Sequence, residues 1–196
     1  MTTAADAGFA LPVYKPSLRW LHWGMAVLIF AAIALGVTAL YMPRTPLRGE
    51  LLNIHKSIGV TVLVLVVLRV LARLSLGAPN YVPPLDFFTR YASALGHLAL
   101  YALMFALPIS GYIGSSAGGH GVEWFGLFAI PAWVPRDENL DKAASYAHYV
   151  FALAIGAALI VHIGAVVWHS FVLKDNVAAR MWPSARKGNV GRGLTS

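Results

Sequence analysis

Ala144-Ser-Tyr-Ala-His148-Tyr-Val-Phe-Ala-Leu-Ala-Ile-Gly156-Ala-Ala-Leu-Ile-Val-His162-Ile-Gly164-Ala-Val-Val-Trp168-His169 is an apolar stretch long enough to cross a bilayer, and His148 and His162 stand fourteen residues apart in it. Fourteen residues is close to four whole helical turns, so both imidazoles project from one face, roughly 21 Å apart along the axis. That spacing sets one near each edge of a hydrocarbon core of about 30 Å. Two like-facing histidines at two depths of one membrane helix predict two cofactor positions stacked across the membrane. The remaining chain then has to supply their partners.

The class follows from composition. Of 196 residues, 58% are hydrophobic and 12% charged, about half the charged fraction of an ordinary soluble domain. With a mean hydropathy of +0.66, the chain reads as an all-α integral membrane protein, a single membrane domain over 1–196. Apolar runs predict four helices over about 20–41, 51–74, 89–115 and 143–173. They leave a loose N-terminus (1–17), which lacks the layout of a signal peptide, and a basic cytoplasmic tail (174–196). Arg69 and Arg73 fall in the last turns of the second run, where arginines snorkel to headgroups. Residues 75–88 hold Pro79, Pro83 and Pro84 and read as a connector. Pro108 predicts a kink in the third helix. The loop over 117–142 is too aromatic around Trp124–Trp133 for a simple solvated loop, and is expected to lie on or dip into the interface.

Four spans put both termini on one side. That side carries Lys15, Arg19, Arg69, Arg73, Arg90, Lys174, Arg180, Arg186, Lys187 and Arg192. The other carries Arg44, Arg48, Lys56, Arg136 and Lys142. Ten cations against five assign the termini to the cytoplasm. The net charge of +7 therefore reads as topology control, with no nucleic acid as partner. The absence of cysteine excludes disulfides, iron–sulfur clusters and covalent c-type haem attachment by this chain.

Orientation fixes depth. His55 and His148 fall near the outer edge, and His22 and His162 near the inner edge. Each pair brings two helices to one level of a bundle core. Neutral imidazole is the common nitrogen ligand of haem iron, and two of them fill both axial positions, which favours electron transfer over oxygen binding. Zinc fits less well, because two ligands per level fall short of its usual three or four. Gly24, Gly36, Gly59, Gly156 and Gly164 would let a flat macrocycle approach the backbone, although glycine also serves ordinary membrane helix packing. The plain alternative for any one of these histidines is a polar side chain in the headgroup region. His97 begins the third run without a partner at its level and reads as an interfacial or hydrogen-bonding residue. His120 lies in a glycine-rich loop and reads as solvated. His169, beside Trp168 and before Lys174, is either part of an interfacial belt or a donor to a quinone headgroup. In the second case Trp168 supplies apolar wall and Lys174 a cation, while His162 lies about 10 Å away along the same face.

Four segments resemble the prokaryotic cytochrome b561 family, related to the b-type cytochrome subunits of nickel–iron hydrogenases and formate dehydrogenases. They are Arg19-Trp20-Leu21-His22-Trp23, Asn53-Ile54-His55-Lys56-Ser57-Ile58-Gly59, Leu95-Gly96-His97-Leu98-Ala99-Leu100-Tyr101, and Ala165-Val-Val-Trp-His169 followed by Lys174-Asp175-Asn176. The resemblance covers about Ser17 to Pro183. It implies a four-transmembrane-helix bundle holding two b haems, with His22, His55, His148 and His162 as axial ligands of the irons. It also implies electron exchange with ubiquinone in the bacterial inner membrane. Some members are described as superoxide oxidases, and His169 matches a histidine near the proposed quinone site of that group.

Three functions follow as expectations. The first is a redox enzyme passing electrons from superoxide or another periplasmic donor to ubiquinone. Outer cations would steer an anionic donor, with Lys56 best placed; the alternative for Lys56 is a pair with a haem propionate or a headgroup. The second is a haem b relay or anchor subunit for a separate dehydrogenase or soluble cytochrome. The third is a membrane protein without haem whose histidines are interfacial.

Overall fold

The computed structural model describes residues 12–80, 86–175 and 177–183. Residues 1–11 of the N-terminus, Pro83 and Pro84 of the connector, Asn176, and the tail from 184 lie outside them. Four long helices make up the structure: α1 (Pro16–Tyr41), α2 (Pro46–Leu76), α3 (Phe87–Ala117) and α4 (Glu138–Trp168). All four are long and apolar enough to cross a membrane. Their outer faces leave Phe30, Leu68, Ile160 and Val161 exposed at 50%, 48%, 75% and 70%. A continuous apolar exterior of this kind belongs in lipid rather than water.

Each helix begins before its apolar run, because a first-turn proline in α1 and polar caps in the other three, rather than hydropathy, mark the starts. Pro16 and Pro46 occupy first-turn positions, where a missing N–H costs nothing. Thr45 accepts from Arg48 N at 3.3 Å, and Asp86 accepts from Thr89 N at 3.0 Å. Asp137 accepts from Asn139 N and Leu140 N at 2.8 and 3.0 Å. Glu138 and Asp141 then lie in the first turn of α4, complementing the positive end of the helix dipole.

The long loop after α3 holds two short strands that the sequence reading did not anticipate, β1 (Val122–Trp124) and β2 (Phe128–Ile130). They pair antiparallel, Val122 with Ile130 and Trp124 with Phe128. The turn between them needs positive φ at Phe125 (49°) and Gly126 (71°). This hairpin packs on α2. Trp124 Nε1 donates to Thr61 Oγ1 at 3.0 Å, and the buried Ser57 hydroxyl accepts from Phe125 N at 2.9 Å. Tyr112 Oη donates to Pro131 O, tying the loop to α3 as well.

At the opposite end, α4 passes into a π-helical turn (His169–Leu173), followed by a 3-10 turn (Val177–Met181). The segment after α4 is stapled across the bundle end. Arg180, 3% exposed, donates through Nε to Pro12 O at 3.1 Å, and through Nη2 to Pro79 O and Asn80 O at 2.6 and 3.1 Å. Arg19 Nη1 and Trp23 Nε1 reach Trp182 O and Met181 O, each at 2.9 Å. The two ends are called the hairpin end and the termini end below.

Inside the bundle, α1 packs along α2, α3 along α4, and α2 against α3, whereas α1 and α4 have little or no close backbone contact. The apolar core follows the α1–α2 seam through Met25, Ile29, Ile58, Val62 and Val66. Tyr101, Met104 and Phe105 of α3 and Leu159 of α4 pack against it.

Candidate functional site: two levels of paired histidines

The first level lies at the hairpin end. Rings of His55 (α2) and His148 (α4) stand with centroids 6.0 Å apart and planes at 81°. Each imidazole is seated on a neighbouring helix by the same device. His55 Nδ1 lies 2.9 Å from Ala32 O of α1, and His148 Nδ1 lies 2.9 Å from Leu107 O of α3. A carbonyl only accepts, so each Nδ1 carries the proton and each Nε2 keeps its lone pair, the form a metal-ligating histidine needs.

Four residues beyond each carbonyl, on the same helix face, stands a glycine. A Cβ at Gly36 would meet His55 Cε1 at 3.1 Å, and one at Gly111 would meet His148 Cε1 and Nδ1 at 2.9 Å. Carbonyl and glycine thus form a shelf that only a bare backbone provides. Gly36, expected beside a macrocycle, instead lies against an imidazole. Gly59 faces Pro108 Cβ at 3.9 Å, and the would-be Cβ positions at Gly24, Gly156 and Gly164 have nothing within 4 Å. The helical assignment of α3 continues through Pro108, and Leu107 O, next to that proline, receives both Ser110 Oγ at 2.8 Å and the His148 ring.

The second level lies at the termini end. His22 (α1) and His162 (α4) have ring centroids 6.3 Å apart and planes at 76°. A third ring joins them: His97 of α3 lies 5.6 Å from His162. The expectation that His97 has no partner at its level is therefore corrected. α3 begins at Phe87, so His97 sits nearly three turns inside the helix rather than in its opening turns, at the depth of His162. Its Nδ1 is 2.6 Å from Ser93 O, which leaves Nε2 for contacts across the bundle.

Arg69 also turns inward at this level. Its Nε donates to Tyr101 Oη and its Nη1 to Leu18 O, both at 3.2 Å. This departs from the snorkelling expected of it. Tyr101 and Arg69 were both missed as members of the level. A signal was present, because Arg69 follows His55 by the same fourteen residues that separate His148 from His162.

His169 starts the π-helical turn. Its Nδ1 lies 2.5 Å from Asp175 Oδ2, with side-chain exposures of 19% and 35%. Lys174 between them takes a left-handed conformation (φ 54°) and its N–H bonds His169 O. That turn folds Asp175 back onto the ring. Trp168 is 56% exposed and Lys174 is exposed. Asp175 is a partner the sequence reading passed over. Lys56 lies at the hairpin end, its Nζ 3.2 Å from Gly121 O. His120 is exposed in the loop, with its N–H on Ser115 O at 2.8 Å.

A four-span bundle whose core faces imidazole pairs across two levels has the build of a membrane cytochrome. Residues 13–184 match the family model described as prokaryotic cytochrome b561. The chain is 34% identical to cytochrome b561 homolog 2 of Escherichia coli (strain K12) over 163 residues, 82% of this chain and 86% of that one. It is 30% identical to the probable superoxide oxidase CybB of Yersinia pestis over 168 residues, covering 85% and 93% of the two chains. Cytochrome b562 of Cereibacter sphaeroides is 30% identical over 177 residues, 87% and 95% of the two chains. The chain belongs to the prokaryotic cytochrome b561 family, and is a multi-pass membrane electron-transfer protein whose cofactor is haem b.

The residues fit that cofactor. A metal–nitrogen bond of about 2.0–2.1 Å on each side, plus about 1.2 Å from nitrogen to ring centre, would set two imidazoles facing one another across a metal about 6.4–6.6 Å apart. The observed separations are 6.3 and 6.0 Å. Each pair would offer two neutral imidazole nitrogens to a haem iron.

Proposed function

We propose that the protein holds two b haems, one between His55 and His148 and one between His22 and His162, and carries electrons across the bacterial inner membrane to ubiquinone. The observation that carries this reading is the hairpin-end pair: each Nδ1 is committed to a backbone carbonyl, and the rings stand 6.0 Å apart. Bound haem supplies a one-electron carrier at each level. The chain's own residues orient the ligands, exclude water and manage protons.

Both termini face the cytoplasm in this reading, which follows from ten cations on the termini side against five on the other. The hairpin end then faces the periplasm and receives the donor. Superoxide is the donor we favour. Support comes from a relative named as a probable superoxide oxidase and from Lys56 beside His55, a cation that attracts an anion to the hairpin end. Two superoxide anions each give up one electron and leave as dioxygen. Ubiquinone gains those two electrons and two protons and becomes ubiquinol.

The acceptor end is His169. Asp175 accepts from Nδ1 and so directs Nε2 away from itself, toward a quinone carbonyl at the membrane edge. With Nδ1 held by the carboxylate, Nε2 is the ring atom placed to hydrogen-bond a quinone and to pass a proton as the quinone is reduced. Lys174 adds a cation at the same edge, and Trp168 an apolar wall.

Stopped-flow mixing of the purified oxidised protein with superoxide, with and without a ubiquinone analogue, tests the reading. Fast haem reduction followed by quinone-dependent reoxidation is expected. Failure of superoxide alone to reduce the protein would hand the donor role to a separate dehydrogenase or soluble cytochrome, making this chain a relay.

A further inference from the structure

The termini-end level contains a half-buried cation that the haem ligands do not need. Arg69 projects from the His55 face of α2, four turns further along,. α2 and α4 run in the same direction through the bundle, so this places Arg69 at the level of His162. Its guanidinium bridges two other helices: Leu18 O lies one turn before His22 on α1, and Tyr101 one turn after His97 on α3. Those two bonds hold the guanidinium at the level where His22, His97 and His162 meet. Both of its hydrogen-bond partners are uncharged, and no carboxylate among the described residues forms an ion pair with it. The contrast is with Lys56 at the other level, whose ammonium bonds a loop carbonyl at the bundle's edge.

We propose that Arg69 sets the redox potential of the haem at the His22/His162 level, raising it by an uncompensated charge held inside the bundle. The proposal rests on the assignment of haem to that pair. Reduction of ferric to ferrous iron removes one positive charge, so a fixed cation nearby favours the reduced form. Coulomb attraction across about 10 Å at an effective dielectric of about 20 amounts to a little over a tenfold preference. An electron arriving at the hairpin end is thereby drawn toward the quinone end. Arg69 acts through the field at the iron and is a positioning residue, touching neither donor nor acceptor.

Spectroelectrochemical titration of the detergent-purified protein tests this, comparing wild type, Arg69→Gln, Arg69→Lys and Tyr101→Phe. His55→Ala, which removes the hairpin-end haem, identifies the wave of the other. Arg69→Gln is expected to shift the reduction equilibrium of the termini-end haem at least tenfold toward the oxidised form, about 59 mV for a one-electron couple. The hairpin-end wave should move much less. Arg69→Lys should retain most of the potential, and Tyr101→Phe, which keeps the charge, nearly all of it.

An unchanged potential in Arg69→Gln would overturn the proposal. So would an equal fall at both haems, or an equal fall in Tyr101→Phe, since packing or hydrogen bonding would then be the cause. Should Arg69→Gln bind fewer than two haems, Arg69→Met keeps the side-chain length. Loss of the same haem in both variants would make Arg69 a binding residue and refute its role in setting potential. A wild-type protein with a single haem would refute the two-pair reading itself, and two haems at one potential would overturn the proposal that Arg69 raises one above the other.

Discussion

Gly111→Ala is the sharpest test of how the hairpin-end level is built. The new Cβ would lie 2.9 Å from both Cε1 and Nδ1 of His148. Ordinary contact begins near 3.4 Å, so the ring must retreat from α3 by about 0.5 Å. The 2.9 Å bond from Nδ1 to Leu107 O is stretched by the same movement. Losing most of that bond costs about 1 kcal/mol, and overpacking adds about 1–2 kcal/mol. A total of about 2–3 kcal/mol is roughly a 30- to 150-fold loss in affinity for the group that His148 holds. Gly36→Ala meets His55 at 3.1 Å rather than 2.9 Å, needs a shift of about 0.3 Å, and should cost about tenfold or less. The assay is haem stoichiometry by pyridine haemochrome, with the rate of haem transfer to excess apo-globin. Gly111→Ala should lose the hairpin-end haem selectively and faster than Gly36→Ala. A Gly111→Ala protein with two haems, a wild-type spectrum and a wild-type transfer rate would refute the reasoning, as would the reverse order of the two variants.

Four further outcomes are expected. His55→Ala and His148→Ala should each remove the hairpin-end haem, and His22→Ala and His162→Ala the other; four variants with two haems and unchanged spectra would break the ligand assignment. A reporter fused after Ser196 should be active only in the cytoplasm, and periplasmic activity would invert both levels. His169→Ala should leave both haems bound and reducible but slow their reoxidation by a soluble ubiquinone analogue about tenfold or more, the general acid–base contribution being about a hundredfold at the low end of its range; Asp175→Asn should slow it less, and unchanged rates at limiting quinone would return His169 to an interfacial belt. Hydrogen bonds from Thr89, its hydroxyl first and its backbone N–H second, hold the Asp86 carboxyl below the usual carboxylate range. A depressed folded value stabilises above the unfolded one and loses that stabilisation as pH falls through the folded value, so the amide of Thr89, bonded to the Asp86 carboxyl, should lose exchange protection as pH falls below the usual carboxylate range, and in Asp86→Ala at every pH.

The spans were legible because lipid demands long apolar runs. The levels of His22, His55, His148 and His162 were legible because each run fixes a depth scale of about 1.5 Å per residue. Helix starts were not legible from hydropathy, since Asp86 and Asp137 act through caps that lie outside the apolar run. His97 was read as opening its run although a start at 89 already put it more than two turns inside, and its approach to His162 was missed. Arg69 was read as snorkelling because position near a helix end was weighed above the fourteen-residue spacing it shares with the histidine pair on α4. The shelves under His55 and His148 could not be read at all. A carbonyl at Ala32 or Leu107 has no sequence signature, and Gly36 and Gly111 gain meaning only once helix pairing is known. The hairpin was hidden for a related reason: three-residue strands carry too little alternation to register, and its attachment depends on Ser57, a small polar residue on another element.

The staple at the termini end bears on the order in which the molecule can be made. Arg180 binds carbonyls at Pro12, Pro79 and Asn80, and the backbone beyond it accepts from Arg19 and Trp23. During synthesis α1, α2 and α3 enter the bilayer long before residue 180 leaves the ribosome. Until then the carbonyl of Trp182 is not yet there to receive Arg19, and the end of the bundle around His22 stays unsealed. Under the two-haem reading, loading at that level would have a natural interval, opening as α4 delivers His162 and closing when the segment behind it folds across.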